Sequence, residues 1–250
     1  MNNDFNSTTG VHCFVAHVRQ GYEDRETHIT RMLRRMGIPF AFMTRGDIPD
    51  LTPELRSRLL SPDIGIPLPA QSCAVKHLLI CEEILSRNLP GALVLEDDIV
   101  LAPRFTEVFA QSMRELPACE STPGAPGAVL ISYEDTRLRF VERSRRQKGR
   151  VLYPGDRDRM AGCYYINREA AAAILAGVKA DGGLPQPIDH YHATLMRRGV
   201  LQYLWCQPTV ATQGSHNGLF RSSLNTRKAR IEELEWRLRL HYRKLLYFLR

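Results

Sequence analysis

The sequence predicts an α/β fold, a mixed sheet flanked by helices, on three observations. The chain opens strand, helix, strand, over 11–18, a helix to Met36, and 38–43. A short, wholly apolar run at 92–95 (ALVL) has the character of a central strand buried on both faces. With 250 residues, 44% of them hydrophobic and 24% charged, the chain is long and apolar enough to build a core without disulfides or metal, and wholesale disorder is excluded.

The elements follow in order. Residues 11–18 (VHCFVAHV) are rich in β-formers. In the next helix Ile29, Met32, Leu33 and Met36 recur at helical spacing. Asp24 and Glu26 sit in its first turn and Arg34 and Arg35 in its last, as the helix dipole favours. Gly37 stops it, and IPFAFM reads as a second strand. Residues 44–71 hold Pro49, Pro53, Pro62, Pro67 and Pro69, with room for a short helix at 53–60. Ser72 to Arg87 reads as a helix with Ala74, Leu78, Cys81 and Leu85 on one face. The apolar run then leads straight into Glu96-Asp97-Asp98. Beyond Pro103, Phe105, Val108, Phe109, Met113 and Leu116 form a helical stripe, 117–127 a loop, and 128–132 a strand. Residues 137–150 carry seven Lys/Arg against one Glu and read as an exposed basic loop. A strand at 163–166, an Ala-rich helix at 168–178, a helix from Pro187 to near Gly199 and β-prone runs at 201–206 and 208–211 complete the body.

Six cysteines stand singly, with no C-x-x-C pair, and read as buried thiols of a reduced compartment. The polar start, MNNDFNSTTG, predicts no secretory signal, and no apolar stretch approaches the roughly 18–20 residues of a transmembrane helix. A cytoplasmic protein is expected, at most peripheral to the inner membrane. The net charge of +7 suggests a polyanionic partner. A nucleic-acid binder would show a basic face with interleaved aromatics or a recognisable module, and neither is visible.

The strongest chemical signal is Glu96-Asp97-Asp98. Three adjacent carboxylates at a strand's carboxyl end repel one another, and that edge is where ligands bind in open α/β sheets. An extended backbone would put Glu96 and Asp98 on one side and Asp97 on the other. One pair then suits a hard divalent cation or a ribose. The same residues also fit a solvated acidic turn ahead of the next helix.

QSCAVKHLLICEEILSRNLPGALVLEDDIVL, AGCYYINREAA and PIDHY together resemble glycosyltransferase family 25, over about residues 11–215. The family's Arg near its first helix corresponds to Arg25, its cysteine-alanine-x-x-His helix to Cys73–His77, its acidic strand end to Leu95–Asp98, and its Pro-x-Asp to Pro187-Ile188-Asp189. Ser72 and Lys76 stand where the family has Gly and Ser, and His17-Val18-Arg19 replaces Asn-Leu-Asp.

The resemblance implies a Rossmann-like GT-A domain over 1–225 that uses a UDP-sugar and Mn²⁺ or Mg²⁺. It implies an inverting hexosyltransferase, most simply a galactosyltransferase using UDP-galactose, acting on a lipopolysaccharide glycan or glycolipid acceptor. Asp98 is the best metal ligand, with Glu96 as a ribose or neighbouring group and Asp97 beside it. His216, in a polar Gly-flanked segment, would complete the metal site, as in some other GT-A enzymes. Arg19, Arg25, Lys76 and His77 are candidate nucleotide contacts. Asp189 is the candidate general base, although a carboxylate in a helix's first turn is also favoured by the dipole alone. Alternatives are another UDP-sugar donor, or a non-catalytic nucleotide- or carbohydrate-binding module.

Residues 227–250 form a basic amphipathic helix of different character. Ile231, Leu234, Leu238, Tyr242, Leu245 and Leu249 share a stripe, widened by Trp236, Leu240, Tyr247 and Phe248. Eight Lys/Arg and three Glu give this segment +5 of the +7, leaving +2 for the body. Such a face suits an anionic membrane, the catalytic body or a second subunit in a homo-oligomer.

Overall fold

The computed structural model describes residues 10–217, 219–220, 238–243, 245–246 and 248–249. A seven-stranded mixed sheet forms its centre. In chain order the elements are β1 (His12–Ala16), α1 (Glu23–Arg35), β2 (Ala41–Met43), α2 (Pro53–Leu59), α3 (Leu68–Ser86), β3 (Gly91–Glu96), β4 (Ile99–Leu101), α4 (Phe105–Glu120) and β5 (Val129–Ser132). They continue with β6 (Leu152–Pro154), β7 (Cys163–Asn167), α5 (Arg168–Ala180), α6 (Ile188–Arg197), β8 (Gln202–Cys206), β9 (Ala211–Gln213) and the single turn α7 (Gly214–Asn217). The sheet order is β2-β1-β3-β7-β5-β8-β6, and β4 pairs with β9 in a separate ribbon. β1 runs parallel to β2 and β3, β5 parallel to β8, and β7 antiparallel to both β3 and β5.

Alternation along the central strands explains the layering. In β3, Ala92 and Val94 face one apolar layer with α3, α5 and α6, while Leu93 and Leu95 face a second with α1 and α4. Both faces of β3 are covered, which is why its sequence is an unbroken apolar run. Asn167 locks the seam between strand and helix. Its Oδ1 accepts from the Ala170 N–H, capping α5, and from the Val129 N–H of β5, both at 2.9 Å.

Several expectations change. The α3 helix begins at Leu68 rather than Ser72, because Pro69 falls in its first turn, where a missing N–H costs nothing. The α4 helix continues through Pro117 to Glu120 instead of ending at Leu116. The strands β4 and β6 were not expected; each is three residues long and gains its ladder only from a distant partner. The backbone does not stay extended past Glu96: Asp97 and Asp98 form a turn between β3 and β4. His216 lies in a helical turn rather than a loop, and its side chain is outside the described residues. The basic 137–150 segment is anchored at its start. Phe140 and Val141 are buried, and Arg139 pairs with Asp158.

Of the C-terminal segment, 226–237 lie outside the described residues. The described positions from 238 on are helical, with Leu238, Tyr242, Leu245, Phe248 and Leu249 exposed. The Arg143 guanidinium lies 4.5 Å from the Phe248 ring centre. No helix among the described residues is long and apolar enough to cross a membrane.

Candidate active site

The chain leaves β1 to one side for β2 and returns on the other side for β3, so strand order reverses between β1 and β3. Ligand crevices of open α/β sheets lie at such a reversal, beyond the carboxyl ends of the strands. A cleft of 940 Å³ occupies that place here. Its walls come from the end of β1 (His17, Arg19), the start of α1 (Arg25), the first turns of α3 (Cys73, Lys76), the Glu96-Asp97-Asp98 turn and the start of α6 (Asp189).

The three carboxylates sit in three environments. Asp97 is neutralised: His17 Nδ1 donates to its Oδ2 at 2.9 Å and Arg25 Nη1 to its Oδ1 at 3.1 Å. Glu96 Oε2 accepts from Gln213 Nε2 at 3.0 Å, while Oε1 faces Cys73 Sγ and His77 Nε2 at 3.7 and 3.5 Å. Asp98 is 2% exposed. Its Oδ2 accepts from the Ser215 N–H at 3.2 Å, and its Oδ1 has no partner among the described residues. Burial, with the Glu96 charge next in size, raises the Asp98 carboxyl to about 6. A buried carboxylate with an unused oxygen and a nearby carboxylate fits a hard divalent cation, so the donor set suits Mn²⁺ or Mg²⁺.

The cationic residues are less free than their types imply. Lys76 is 2% exposed, and its Nζ donates to Asp47 Oδ1 at 2.5 Å and to the carbonyls of Thr44 and Arg45. Arg19 donates to Asp47 Oδ2 at 3.0 Å and to both oxygens of Asp50 at 2.7 Å. Burial pushes Asp47 upward, but the bonds from Lys76 and Arg19 outweigh it and hold the carboxyl below its ordinary value. Lys76 therefore braces the 44–50 segment, while half-exposed Arg19 and the more deeply set Arg25 remain on the wall. His77 lines no part of the cleft. It lies beneath the floor, wholly buried, with Nδ1 2.8 Å from the Tyr164 hydroxyl.

Asp189, in the first turn of α6, lines the cleft but is held by Arg137. The guanidinium donates to Asp189 Oδ2 at 2.6 Å, pairs with Asp158 Oδ2 at 2.9 Å and lies 3.0 Å from His190 Nε2. Asp158, Asp189 and His190 converge like metal ligands, but Arg137 supplies the positive charge between them. A buried Glu134 supports the adjoining wall. Its Oε1 accepts from the Gly162 and Cys163 N–H groups and its Oε2 from the Thr136 hydroxyl. Burial keeps this carboxyl well above its usual range.

The structure thus gathers Arg19, Arg25, Lys76, Glu96, Asp97, Asp98 and Asp189 around one cleft and leaves His77 below it. Sequence reasoning missed Asp47, Glu134, Arg137 and Asp158. Asp47 had a local signal, since Asp47 and Asp50 form a capping box around Ile48-Pro49. Arg137 had none, being one of seven basic residues in its segment.

The fold is a mixed α/β body with a cleft lined by carboxylates and cations at its strand-order reversal. The model of glycosyltransferase family 25 (LPS biosynthesis protein) matches residues 20–191, and the chain belongs to that family. It is accordingly a glycosyltransferase associated with lipopolysaccharide biosynthesis, acting between a nucleotide sugar and a glycan acceptor. No curated protein matches the chain. Among solved structures it is similar to a putative glucose-1-phosphate thymidylyltransferase from Bacillus anthracis in complex with a sucrose. That likeness has 15% identity, a TM-score of 0.38, and covers 90% of this chain and 82% of the other. A similarity of that degree says nothing about chemistry.

Proposed function

We propose that this chain is a metal-dependent, inverting GT-A hexosyltransferase that transfers galactose from UDP-galactose to a lipopolysaccharide glycan. The observation that carries this is the convergence of Asp98, Glu96 and Asp189 on one cleft at the β1/β3 reversal. Asp98 would hold the divalent cation, Mn²⁺ or Mg²⁺, with Glu96 beside it and His216 as the further ligand. When bound, the cation offsets the negative charge growing on the departing nucleoside diphosphate. Arg19 and Arg25 would face the diphosphate. Asp189 takes the proton of the acceptor hydroxyl as its oxygen bonds to the sugar's C1. The bond from C1 to the diphosphate breaks on the opposite face, so the anomeric configuration inverts. Arg137 fixes one oxygen of Asp189 and so orients the carboxylate. The exposed apolar residues from Leu238 to Leu249, interleaved with Arg239 and Arg243, would hold the enzyme at an anionic membrane bearing the acceptor.

The test has two stages. UDP-sugars are scored for Mn²⁺-dependent thermal stabilisation, which reports binding to the native state; UDP-galactose is expected to give the largest shift. Transfer is then assayed in Asp189→Asn, which should lose roughly 10²–10⁴-fold in kcat with donor binding kept. No shift with any UDP-sugar, or undiminished turnover in Asp189→Asn, would sink the reading.

A further inference from the structure

At the cleft floor lies a cluster of which the donor reading uses only Glu96. Cys73 and His77 are four residues apart on α3 and so share one helical face, with Glu96 at the end of β3 against them. Cys73 Sγ, a ring nitrogen of His77 and a Glu96 oxygen all lie within 4.8 Å of one another. We infer that Cys73, His77 and Glu96 form a binding site for a borderline-soft divalent cation, zinc, which shares Glu96 with the oxygen position at Asp98. The inference goes beyond the glycosyltransferase reading and does not depend on it.

Geometry comes first. Tetrahedral zinc with the usual bond lengths separates a sulfur from an oxygen ligand by about 3.6 Å, and a nitrogen from an oxygen by about 3.4 Å. The corresponding separations here are 3.7 Å for Cys73 Sγ to Glu96 Oε1 and 3.5 Å for His77 Nε2 to Glu96 Oε1. Both measured separations match those of a tetrahedral site to about 0.1 Å.

The second observation is the unused nitrogen. His77 is wholly buried, yet its Nε2 has no hydrogen-bond partner among the described residues. Leaving a buried polar atom unpaired costs stability, so such an atom calls for a reason. The other ring nitrogen, Nδ1, is 2.8 Å from the Tyr164 hydroxyl. A proton on Nδ1, donated to Tyr164, leaves the Nε2 lone pair aimed at the cluster. That is the outer hydrogen bond by which metal-binding histidines are oriented.

Charge and softness then select the ion. One thiolate, one carboxylate and a neutral imidazole make a dication electrically neutral in a place where His77 is buried and the other two ligands are partly so. A sulfur ligand disfavours magnesium and manganese and favours zinc. Three protein ligands leave a fourth position, and Cys73 and Glu96 both line the cleft, so water or a ligand reaches it from there. Binding displaces the Cys73 proton to solvent. Because Glu96 faces both positions, zinc would draw it away from the donor side.

The experiment uses the full chain stripped with a chelator and titrated with Zn²⁺ and Co²⁺. Expected are about one zinc bound per chain, about one proton released with it, and a thiolate-to-cobalt charge-transfer band. The band should vanish in Cys73→Ser and survive in Cys119→Ser and in Asp98→Asn, the last separating this site from the Asp98 position. Tyr164→Phe should weaken zinc roughly 10–100-fold while leaving the ligands in place. If Cys73→Ser fails to fold, as judged by circular dichroism, Tyr164→Phe with the cobalt spectrum decides. A wild-type cobalt complex without the band, a band that persists in Cys73→Ser, or unchanged zinc affinity in Tyr164→Phe overturns the inference.

Discussion

His192 offers a direct check on the core beneath the active cleft. It is 1% exposed, and its ring meets Tyr164 edge-on at 5.4 Å between centres. Burial, reinforced by His77, lowers its pKa from 6.5 to about 3. The folded protein therefore keeps His192 neutral over a range in which the unfolded chain protonates it. A depressed histidine contributes stability that is complete above the unfolded pKa and is lost as pH falls toward the folded one. At about pH 5 the gap is roughly 1.5 units below the unfolded value, or about 2 kcal/mol. The perturbation is His192→Gln, a neutral side chain of similar size that does not titrate. Urea unfolding is measured for both proteins at about pH 7.5 and about pH 5 without added metal. Other groups titrate equally in both, so only the difference between the proteins counts. The wild type should lose about 2 kcal/mol more than the variant on acidification. Equal losses would refute the claim that this imidazole is held neutral by burial.

Two further outcomes follow from the same reasoning. Lys76→Met leaves Asp47 buried with Arg19 as its remaining ion-pair partner among the described residues, and should cost about 3 kcal/mol, the low end for breaking a buried pair. Adding Asp47→Asn to that variant should recover part of the loss in urea unfolding, because the stranded charge is gone. A version ending at Asn225 should pellet less than the full chain with anionic liposomes at low salt, and the difference should shrink as salt rises. Equal pelleting at all salt concentrations would remove the C-terminal segment from membrane contact.

The sequence revealed the fold where a signal was local and periodic. The unbroken apolar β3, the stripes of α1 and α4 and the Ala-rich run of α5 could each be read from a few neighbouring residues. What escaped was set by distant partners. The strand β4 is the three residues Ile99–Leu101, ordered by β9 more than a hundred residues later. The acidic turn could be located, but not the division of labour within it. Asp97 is satisfied by His17, 80 residues away, and by Arg25, 72 away. Lys76 read as a phosphate contact because its anchor, Asp47, belongs to another segment 29 residues upstream. Asp189 was legible as a carboxylate at a helix start, but the residue that holds it, Arg137, lay hidden in a basic run.

The way Glu96 and Asp98 are secured bears on how the protein is made. Their braces, Gln213 and Ser215, each come 117 residues later in the chain. At ribosomal speeds of about 5–20 residues per second, that gap lasts roughly 6–23 s. Throughout it the first strands can pair, yet the carboxylates at their ends have neither the amide of Gln213 nor the backbone N–H of Ser215 to hold them. The cleft is thus completed only after nearly all of the body has emerged, and a nascent chain stalled just short of residue 213 would carry all seven strands of the main sheet with Glu96 and Asp98 still unbraced.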